Sequence, residues 1–375
     1  MGMLGALAAG LAAIGLLQTL AGVGVVWRFV RRPRAAPLHC PAMTVLKPLH
    51  GDEALLETAL ATVCAQDYPA FQVVFGVQDP ADPALAVVGR LQARFPAADL
   101  AVVVDPTQHG PNRKVANLIN MLPAAKHGVI VIADSDVHAA PDYLARLAAA
   151  LEVPGTALVT TLYTGLPAQG SAAARLGATQ ITHGFLPGAL LGRAMGRQDC
   201  LGASMALTRA TLGAIGGLPA LVQHLADDHE LGRLAARHGA VRLASTVPAT
   251  TVPESTLAQL YTHELRWART IGALVPAQFA ASALQYPLFW AALAVLLAGF
   301  APWALALFAT AWAVRAGAAL AINRLLGLAI AAPVWLLPVR DAMSMIVLIA
   351  SYRSDRVVWR GHRLHATSPS TAPGE

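Results

Sequence analysis

The apolar residues of this chain gather at its two ends and leave a middle of ordinary polarity. The first uncharged run extends from Leu4 to Trp27, and roughly 20 apolar residues are enough for a helix to cross a bilayer. Four arginines follow it directly, at positions 28, 31, 32 and 34. Because the basic cluster comes after the run and nothing basic precedes it, we predict an uncleaved anchor rather than a signal peptide. The residues that follow are expected in the cytoplasm.

The second apolar region begins near Leu284 and ends near Ser351. Residues 286–300 and 303–322 predict two closely spaced crossings that are separated at Pro302. Residues 325–350 are also apolar but contain two prolines and a charged pair, which predicts a short hairpin or a re-entrant segment. The arginines after residue 352 favour a cytoplasmic C-terminus, and this requires an even number of C-terminal crossings.

Arg315 and Arg340 lie within the apolar stretches of this second region. An arginine at the centre of a bilayer costs at least ~2.5–3.5 kcal/mol. We therefore expect both side chains to face protein, water or the membrane interface.

The middle of the chain, residues 36–279, alternates short β-rich runs with helical stretches. Strands are predicted at 43–49, 71–77, 100–104 and 129–133, and helices at 53–64, 83–95 and 112–121. This alternation predicts an α/β domain with a mainly parallel sheet covered on both faces. Ligands of such sheets bind beyond the carboxyl ends of the strands.

These patterns divide the chain into four predicted regions. They are an anchor with its basic flank (1–35), a catalytic domain ending in an interfacial helix (36–279), a C-terminal membrane region (280–351) and a basic cytoplasmic tail (352–375).

Acidic residues follow two of the predicted strands. Gln78 and Asp79 end the second, and Asp134 and Asp136 follow the fourth. Two carboxylates that point the same way can hold Mg²⁺ or Mn²⁺ while substrate phosphates complete the coordination. An Asp-x-Asp sequence also occurs in turns and helix caps, but its place after a buried strand favours a metal site.

A third acidic pair, Asp227 and Asp228, opens a predicted helix, where acidic residues also serve as ordinary first-turn residues. Farther on, His263, Arg266 and Trp267 share one face of a helix predicted over residues 255–271, at spacings i, i+3 and i+4. That helix precedes the first C-terminal crossing, and its tryptophan and tyrosine suit a membrane interface. A plain amphipathic helix is the alternative interpretation.

Composition agrees with a membrane protein, because hydrophobic residues make up 56% of the chain and charged residues only 13%. The mean hydropathy is +0.53 and the pI is about 9.6. The excess arginine lies at membrane boundaries, so anionic lipid head groups are the expected partner and nucleic acid is not. Three cysteines without a CxxC pair fit neither a disulfide framework nor a zinc site.

The ordered motifs resemble those of the glycosyltransferase-2-like (GT-A) enzymes, which carry the pattern D, D, D, (Q/R)xxRW. Within them the ceramide glucosyltransferase-like branch, including bacterial enzymes of hopanoid biosynthesis, looks most similar. The resemblance covers nearly the whole chain. Its motifs are Lys47-Pro48-Leu49-His50-Gly51, Asp67-Tyr68-Pro69, Val77-Gln78-Asp79, Gly110-Pro111-Asn112-Arg113-Lys114, Asp134-Ser135-Asp136, Asp227-Asp228, Arg266-Trp267 and Trp359-Arg360-Gly361.

The resemblance implies a GT-A catalytic domain joined to transmembrane helices in a bacterial inner membrane, with the catalytic domain cytoplasmic. It implies a UDP-sugar donor and a membrane-lipid acceptor. The first prediction is transfer of N-acetylglucosamine to a hopanoid such as bacteriohopanetetrol. The alternatives are a ceramide- or sterol-type glucosyltransferase that uses UDP-glucose, or a polysaccharide synthase. A transporter or binding protein would explain the apolar ends but not the acidic motifs.

The resemblance also implies roles for individual residues. Asp136, with Asp134 beside it, would hold Mg²⁺ or Mn²⁺ at the donor diphosphate. Asp79 would contact the uridine, and Lys114 and Arg266 would donate to the diphosphate. Asp228 would be the general base of an inverting reaction, whereas Asp227 is expected to point elsewhere on its helix. His263 stands where the family has Gln or Arg, and the resemblance leaves the role of that position open.

Overall fold

In a computed structural model of the chain, the structure describes residues 2–33, 36–329, 333–353, 356–359 and 362–365. The strands are β1 (Met43–Pro48), β2 (Phe71–Val77), β3 (Asp99–Val104), β4 (Val129–Ala133), β5 (Val137–His138), β6 (Thr156–Thr160), β7 (Thr164–Pro167), β8 (Ser204–Thr208), β9 (Ala240–Leu243), β10 (Ala249–Val252), β11 (Arg356–Trp359) and β12 (His362–His365).

The α-helices are α1 (Met3–Val30), α2 (Leu56–Cys64), α3 (Ala84–Arg94), α4 (Arg113–Met121), α5 (Tyr143–Leu151), α6 (Ala172–Gln180), α7 (Leu186–Ala194), α8 (Arg209–Ala214), α9 (Asp227–Ala235), α10 (Leu257–Leu274), α11 (Pro276–Ala281), α12 (Pro287–Leu297), α13 (Pro302–Leu326) and α14 (Leu337–Ser351). A π-helical turn, Ile181–Phe185, joins α6 to α7. Short 3₁₀ turns are Leu122–Ala124, Leu218–Leu221, Ser282–Gln285 and Val334–Leu336.

One compact unit of the chain, the sheet unit, consists of Arg32–Ala168 and Gly196–Pro253. Its seven-stranded sheet has the order β3-β2-β1-β4-β8-β6-β9. Every neighbouring pair is parallel except the two that involve β8. A second sheet has the order β5-β10-β7. The predicted mainly parallel α/β sheet is confirmed.

The uninterrupted apolar sequence of β4 and the adjacent apolar pair Val45 and Leu46 of β1 follow from burial of this sheet on both faces. Val45 of β1 contributes to a core shared with α2, α3 and α5, whereas its neighbour Leu46 contributes to a core shared with α4, α8 and α9. Val131 and Ile130 of β4 divide in the same way. Since successive strand residues point to opposite faces, both must be apolar wherever helices cover both sides.

The other compact unit, the helical unit, consists of Met1–Arg31, Gln169–Met195 and Glu254–Glu375. It therefore contains α6 and α7, which the sequence analysis did not single out. It also contains α10, so the compact units divide the chain at Pro253, while the predicted domain boundary lies at residue 279. The four regions assigned by function stay predictions.

Three helical segments are long and apolar enough to cross a membrane, namely Met3–Val30, Pro302–Leu326 and Val334–Ser351. The first coincides with the predicted N-terminal span. The third is one helical segment of membrane-spanning length, in the region where the sequence predicts a short hairpin or a re-entrant segment. Sidedness stays a prediction.

The predicted crossing at residues 286–300 is not a straight span. Its helix α12 has 11 residues, which at 1.5 Å per residue gives ~16 Å, about half of the ~30 Å hydrocarbon core. Pro276–Gln285 and Pro287–Leu297 instead form a pair bent by 65°, which is either one broken span or a re-entrant loop. Pro287 stands at the break, where its ring is accommodated at the start of a helix.

Arg315 and Arg340 of the C-terminal apolar region face protein, as predicted. Arg340, 1% exposed, donates to both carboxylate oxygens of Glu264 in α10 at 2.7 Å. Arg315 donates to Asp341 and to the carbonyl oxygen of His183, each at 3.1 Å. The other oxygen of Asp341 accepts the N–H of Leu288 at the start of α12. The two positive and two negative charges balance, so none is left alone among apolar helices.

The end of the chain is only partly described. β11 and β12 form an antiparallel pair. Arg360 and Gly361 of the last motif, and most of the predicted basic tail, lie outside the described residues.

Removal of the charge on Glu264 should destabilise the helical unit strongly. Glu264→Gln leaves Arg340 buried without a counter-charge, which typically costs about 3–5 kcal/mol. The unfolding midpoint of the purified full chain in detergent measures the effect. Glu57→Gln is the control, because the side chains of Glu57 and its ion-pair partner Arg90 are 40% and 57% exposed. This substitution should change the free energy of unfolding by less than ~1 kcal/mol. Equal shifts for both variants would contradict the structural role of the buried pair.

Candidate active site

Asp134 and Asp136 lie at the carboxyl edge of the sheet unit, directly after β4. Their backbone is held from three directions. The N–H of Asp134 donates to the carbonyl of Ala203 (3.1 Å), its carbonyl accepts from Val137 (3.3 Å), and the carbonyl of Asp136 accepts from Thr251 (3.2 Å). The two carboxylates are thus carried by a fixed turn.

Lys114 is a positively charged residue at this edge of the sheet. Its Nζ lies 2.7 Å from Oδ1 of Asp134 and 3.4 Å from Oδ2 of Asp227. It stands in the first turn of α4, whose N-cap Asn112 accepts from the N–H of Val115. Although burial lowers the pKa of Lys114, the charges of Asp134 and Asp227 outweigh it and raise that pKa above its usual value. The ammonium group therefore stays charged and joins two acidic motifs that are far apart in sequence.

The placement of Asp227 differs from the expectation that it points away. Its carboxylate contacts Lys114 and lies 3.4 Å from the side-chain amide nitrogen of Asn112. Asn112 also donates to the carbonyl of His224 at 2.8 Å, which ties the segment before α9 to the start of α4. Because α4 and α9 meet here, Asp227 belongs to the same charged network as Asp134.

Asp228 stands beside this network and is half-buried. One oxygen accepts the N–H of His229 at 2.8 Å. Burial and the charge of Asp227 raise the pKa of Asp228 to about 6, although Lys114 acts in the opposite direction. A Cβ on Gly202 would lie 2.7 Å from Oδ2 of Asp228. Only glycine at position 202 therefore leaves this carboxylate in its present place.

A buried lysine and a glutamate that the sequence analysis left without a role complete the acidic edge. Lys47, at the end of β1, is fully buried and donates to the carbonyl of Asp134 at 2.6 Å. Burial lowers its pKa to about 8. Glu53 accepts from the hydroxyl of Ser135. Burial, together with the charges of Asp134 and Glu53, raises the pKa of Asp136 to about 7. Three carboxylates repel one another here, and a cation would relieve that repulsion.

Tyr163 is a further residue that the sequence analysis missed. It follows β6, which runs parallel to β4, so it reaches the same edge of the sheet. Burial and the charges of Asp228, Asp134 and Asp136 all raise the pKa of its hydroxyl. The hydroxyl stays protonated and can donate. The signal available in the sequence was its position shortly after a strand end.

Asp79 also lies at the carboxyl edge, after β2, which is two strands from β4 or ~10 Å at the usual strand spacing. It is exposed, and its Oδ1 accepts from the N–H of Ala81 in a tight turn. The preceding residue, Gln78, has a buried side-chain nitrogen without a hydrogen-bond partner among the residues that the structure describes. Such a nitrogen can donate to a ligand.

Within the described part of the chain, no group of three or more His, Cys, Asp or Glu side chains is arranged to hold a metal ion. Asp134 and Asp136 supply two hard oxygen donors instead. Mg²⁺ is commonly held by one or two carboxylates, with phosphates and water completing its shell. The crowding of carboxylates that raises the pKa of Asp136 fits such an ion, so the predicted pair suits a metal that arrives with a phosphate substrate.

The predicted His263, Arg266 and Trp267 belong to α10 of the helical unit. Thr256 starts this helix with a capping box in which its hydroxyl accepts from the N–H of Gln259. Nδ1 of His263 pairs with the carboxylate of Glu254. The ring of Trp267 meets the His263 ring at 4.4 Å and 68°. The structure thus brings His263 and Trp267 together on one face of the helix, as predicted.

Comparison with solved structures defines the class of fold. The mannosyltransferase PcManGT from Pyrobaculum calidifontis, solved with GDP-mannose and Mn²⁺, matches 93% of this chain and 99% of its own, with a TM-score of 0.51 and 20% sequence identity. Its similarity supports a GT-A-like glycosyltransferase fold, the class expected from the sequence.

The family profile is more specific. The profile of Glycosyl transferase family 21 matches residues 7–372, and the chain belongs to that family.

Two relatives are named as ceramide glucosyltransferases. The protein from Komagataella phaffii is 28% identical over 159 residues, 36% of this chain and 31% of the relative. Ceramide glucosyltransferase 1 of Caenorhabditis elegans is 25% identical over 249 residues, 65% of this chain and 53% of the relative. The chain thus spans between about a third and a half of the length of these relatives.

Substitution of Gly202 should impair catalysis more than folding. In Gly202→Ala the new Cβ would displace the carboxylate of Asp228, the free end of a side chain, so the unfolding midpoint should change little. Misplacement of a reacting group by about 1 Å can lower the reaction rate by up to ~10²-fold. We therefore expect kcat to fall by about 10- to 100-fold.

Gly213→Ala is the matched control, since a Cβ there meets nothing within 4 Å in the described chain. It should keep full turnover. Normal turnover in Gly202→Ala would show that the position of Asp228 is not critical.

Proposed function

We propose that this protein transfers glucose from UDP-glucose to a hydroxyl group of a membrane lipid of the ceramide class, with inversion at the anomeric carbon. The observation that carries the proposal is the joining of Asp134 and Asp227 by Lys114, with Asp228 beside them, at the ligand-binding edge of a family 21 glycosyltransferase. This arrangement supplies a cation for a diphosphate and a carboxylate for a proton.

The choice of substrates rests on the relatives. Both are named as ceramide glucosyltransferases, which favours the predicted UDP-glucose alternative over transfer of N-acetylglucosamine to a hopanoid. The three membrane-length apolar segments suit a lipid acceptor. We further propose that the sheet unit acts on the cytoplasmic face of a bacterial inner membrane.

The donor side follows from charge. Departure of UDP develops negative charge on the diphosphate, and a fixed ammonium group stabilises such charge without reorganisation. Lys114 is held at 2.7 Å from Asp134, so its position does not depend on the substrate. Asp79 and the unpartnered side-chain nitrogen of Gln78 are suited to the hydroxyls and carbonyls of uridine. Arg266 is proposed as a second donor to the diphosphate.

Asp134 and Asp136 are the proposed ligands of Mg²⁺ or Mn²⁺. When bound, such an ion supplies Lewis-acid stabilisation of the diphosphate charge. The chain itself contributes the pair of carboxylates on a turn fixed by Ala203, Val137 and Thr251.

Asp228 is the proposed general base. As the acceptor oxygen bonds to the anomeric carbon, the bond from that carbon to the phosphate oxygen breaks, and the acceptor proton passes to Asp228. With a pKa of about 6, the carboxylate is ionised at neutral pH yet more basic than an ordinary aspartate, which suits a base near the working pH. One base on the attacking side implies inversion.

Activity should decline as the pH falls through about 6, where Asp228 becomes protonated.

The substrates can be tested directly with the purified full chain in detergent. UDP-glucose and UDP-N-acetylglucosamine are each incubated with ceramide or with a hopanoid polyol, and glycolipids are identified by mass spectrometry. We expect a hexosyl ceramide from UDP-glucose, with loss of product in EDTA and recovery on addition of Mg²⁺ or Mn²⁺. Exclusive formation of an N-acetylglucosaminyl hopanoid would overturn the proposed substrates, and unchanged turnover in EDTA would overturn the metal assignment.

The two adjacent aspartates should have different defects. Asp228→Asn cannot accept the proton, so kcat should fall by about 10²-fold or more while the Kd for UDP-glucose stays unchanged. Asp227→Asn removes a partner of Lys114 and should weaken UDP-glucose binding instead. It should also move the acidic limb of the pH profile lower, because the charge of Asp227 raises the pKa of Asp228. An inactive Asp227→Asn variant together with an active Asp228→Asn variant would show that Asp228 is not the general base.

A further inference from the structure

The hydrogen bond that closes the turn of Asp134 and Asp136 is a long one. The N–H of Val137 lies 3.3 Å from the carbonyl oxygen of Asp134, outside the usual range of about 2.7–3.2 Å. The same carbonyl oxygen accepts from the ammonium group of Lys47 at 2.6 Å. A side chain from the end of β1 therefore holds this turn more closely than its own closing bond does.

Glu53 contacts the middle of the same turn. Its Oε2 accepts from the hydroxyl of Ser135, the residue between the two aspartates. Hydrogen bonds in which a carboxylate is the acceptor are about twice as strong as those between neutral groups. The contact fixes the side chain of Ser135 and, through it, the backbone that carries both carboxylates.

The segment that carries Glu53 is itself attached to the start of α3. The N–H of Gly51 donates to both carboxylate oxygens of Asp82, each at 3.0 Å, and Oδ1 of Asp82 also accepts from the N–H of Ala84. Asp82 is buried, and Gly51 has a φ of 77°, which glycine adopts without strain. The position of Glu53 is thus set by contacts of the chain itself.

We propose that Glu53 is a positioning residue of the cation site, which acts through Ser135 to hold the carboxylates of Asp134 and Asp136 in the orientation that a divalent metal ion requires. The proposal rests on the proposed function and deepens it. Contacts that orient metal ligands typically change metal affinity by about 10- to 100-fold when they are lost. All four residues belong to the sheet unit.

The affinity of the full chain in detergent for Mn²⁺ tests this role. It is measured at saturating UDP from the EPR signal of free Mn²⁺. Glu53→Ala removes the acceptor of the Ser135 hydroxyl and should weaken Mn²⁺ binding by about 10-fold. Its turnover should rise towards that of the wild type as the Mn²⁺ concentration is increased. Glu53→Gln keeps a carbonyl oxygen that can accept from Ser135, so its Kd for Mn²⁺ should stay within about 3-fold of the wild type.

A double-mutant cycle with Ser135→Ala separates positioning from attraction by charge. Once the hydroxyl is absent, Glu53→Ala should change the Kd for Mn²⁺ by less than about 2-fold, because both substitutions break the same contact. Asp52→Ala is the matched control, since Asp52 is the exposed neighbour of Glu53 and carries the same charge. Exposed charges are largely screened, so this variant should also change the Kd by less than about 2-fold.

Equal losses of Mn²⁺ affinity in Glu53→Ala and Glu53→Gln would overturn the positioning role, because Glu53 would then act by its charge or bind the metal ion directly. An undiminished effect of Glu53→Ala in the Ser135→Ala background, or a lower unfolding midpoint with unchanged Mn²⁺ affinity, would overturn it as well. A wild-type protein that binds no Mn²⁺ with UDP and transfers no sugar would refute the proposed function. Normal transfer and normal Mn²⁺ affinity in every variant refute only the role of Glu53.

Discussion

Several carboxylates repel one another at the carboxyl edge of the sheet, and the ammonium group of Lys114 makes their close approach tolerable. It joins Asp134, which follows β4, to Asp227, which opens α9. Because both partners are fixed by backbone and cap contacts, the lysine in turn has a fixed position. Burial and the neighbouring charge of Asp227 raise the pKa of Asp228 in this arrangement, and Lys114 opposes them.

The helical unit also neutralises buried charges by pairing them, here among apolar helices. Arg315 and Arg340 each find an acidic partner, and the network ties α13 and α14 to α10 and to the start of α12. Such pairs contribute little net stability when complete, but each half is costly when alone. They therefore specify which helices pack together, and Glu264 links this packing to the helix that carries Arg266 and Trp267.

Periodicity alone determined the apolar ends, the strand–helix alternation and the acidic strand ends, because these depend on local spacing and on burial of whole faces. The motifs also identified Lys114, Asp134 and Asp228 as candidate site residues, and their roles stay predictions. Only the tertiary structure decided that Asp227 contacts Lys114, that Gly202 makes room for Asp228, and that residues 286–300 do not form a straight span. These outcomes depend on contacts between segments remote in sequence and on a bend at Pro287. Neither can be predicted from the local pattern of residues.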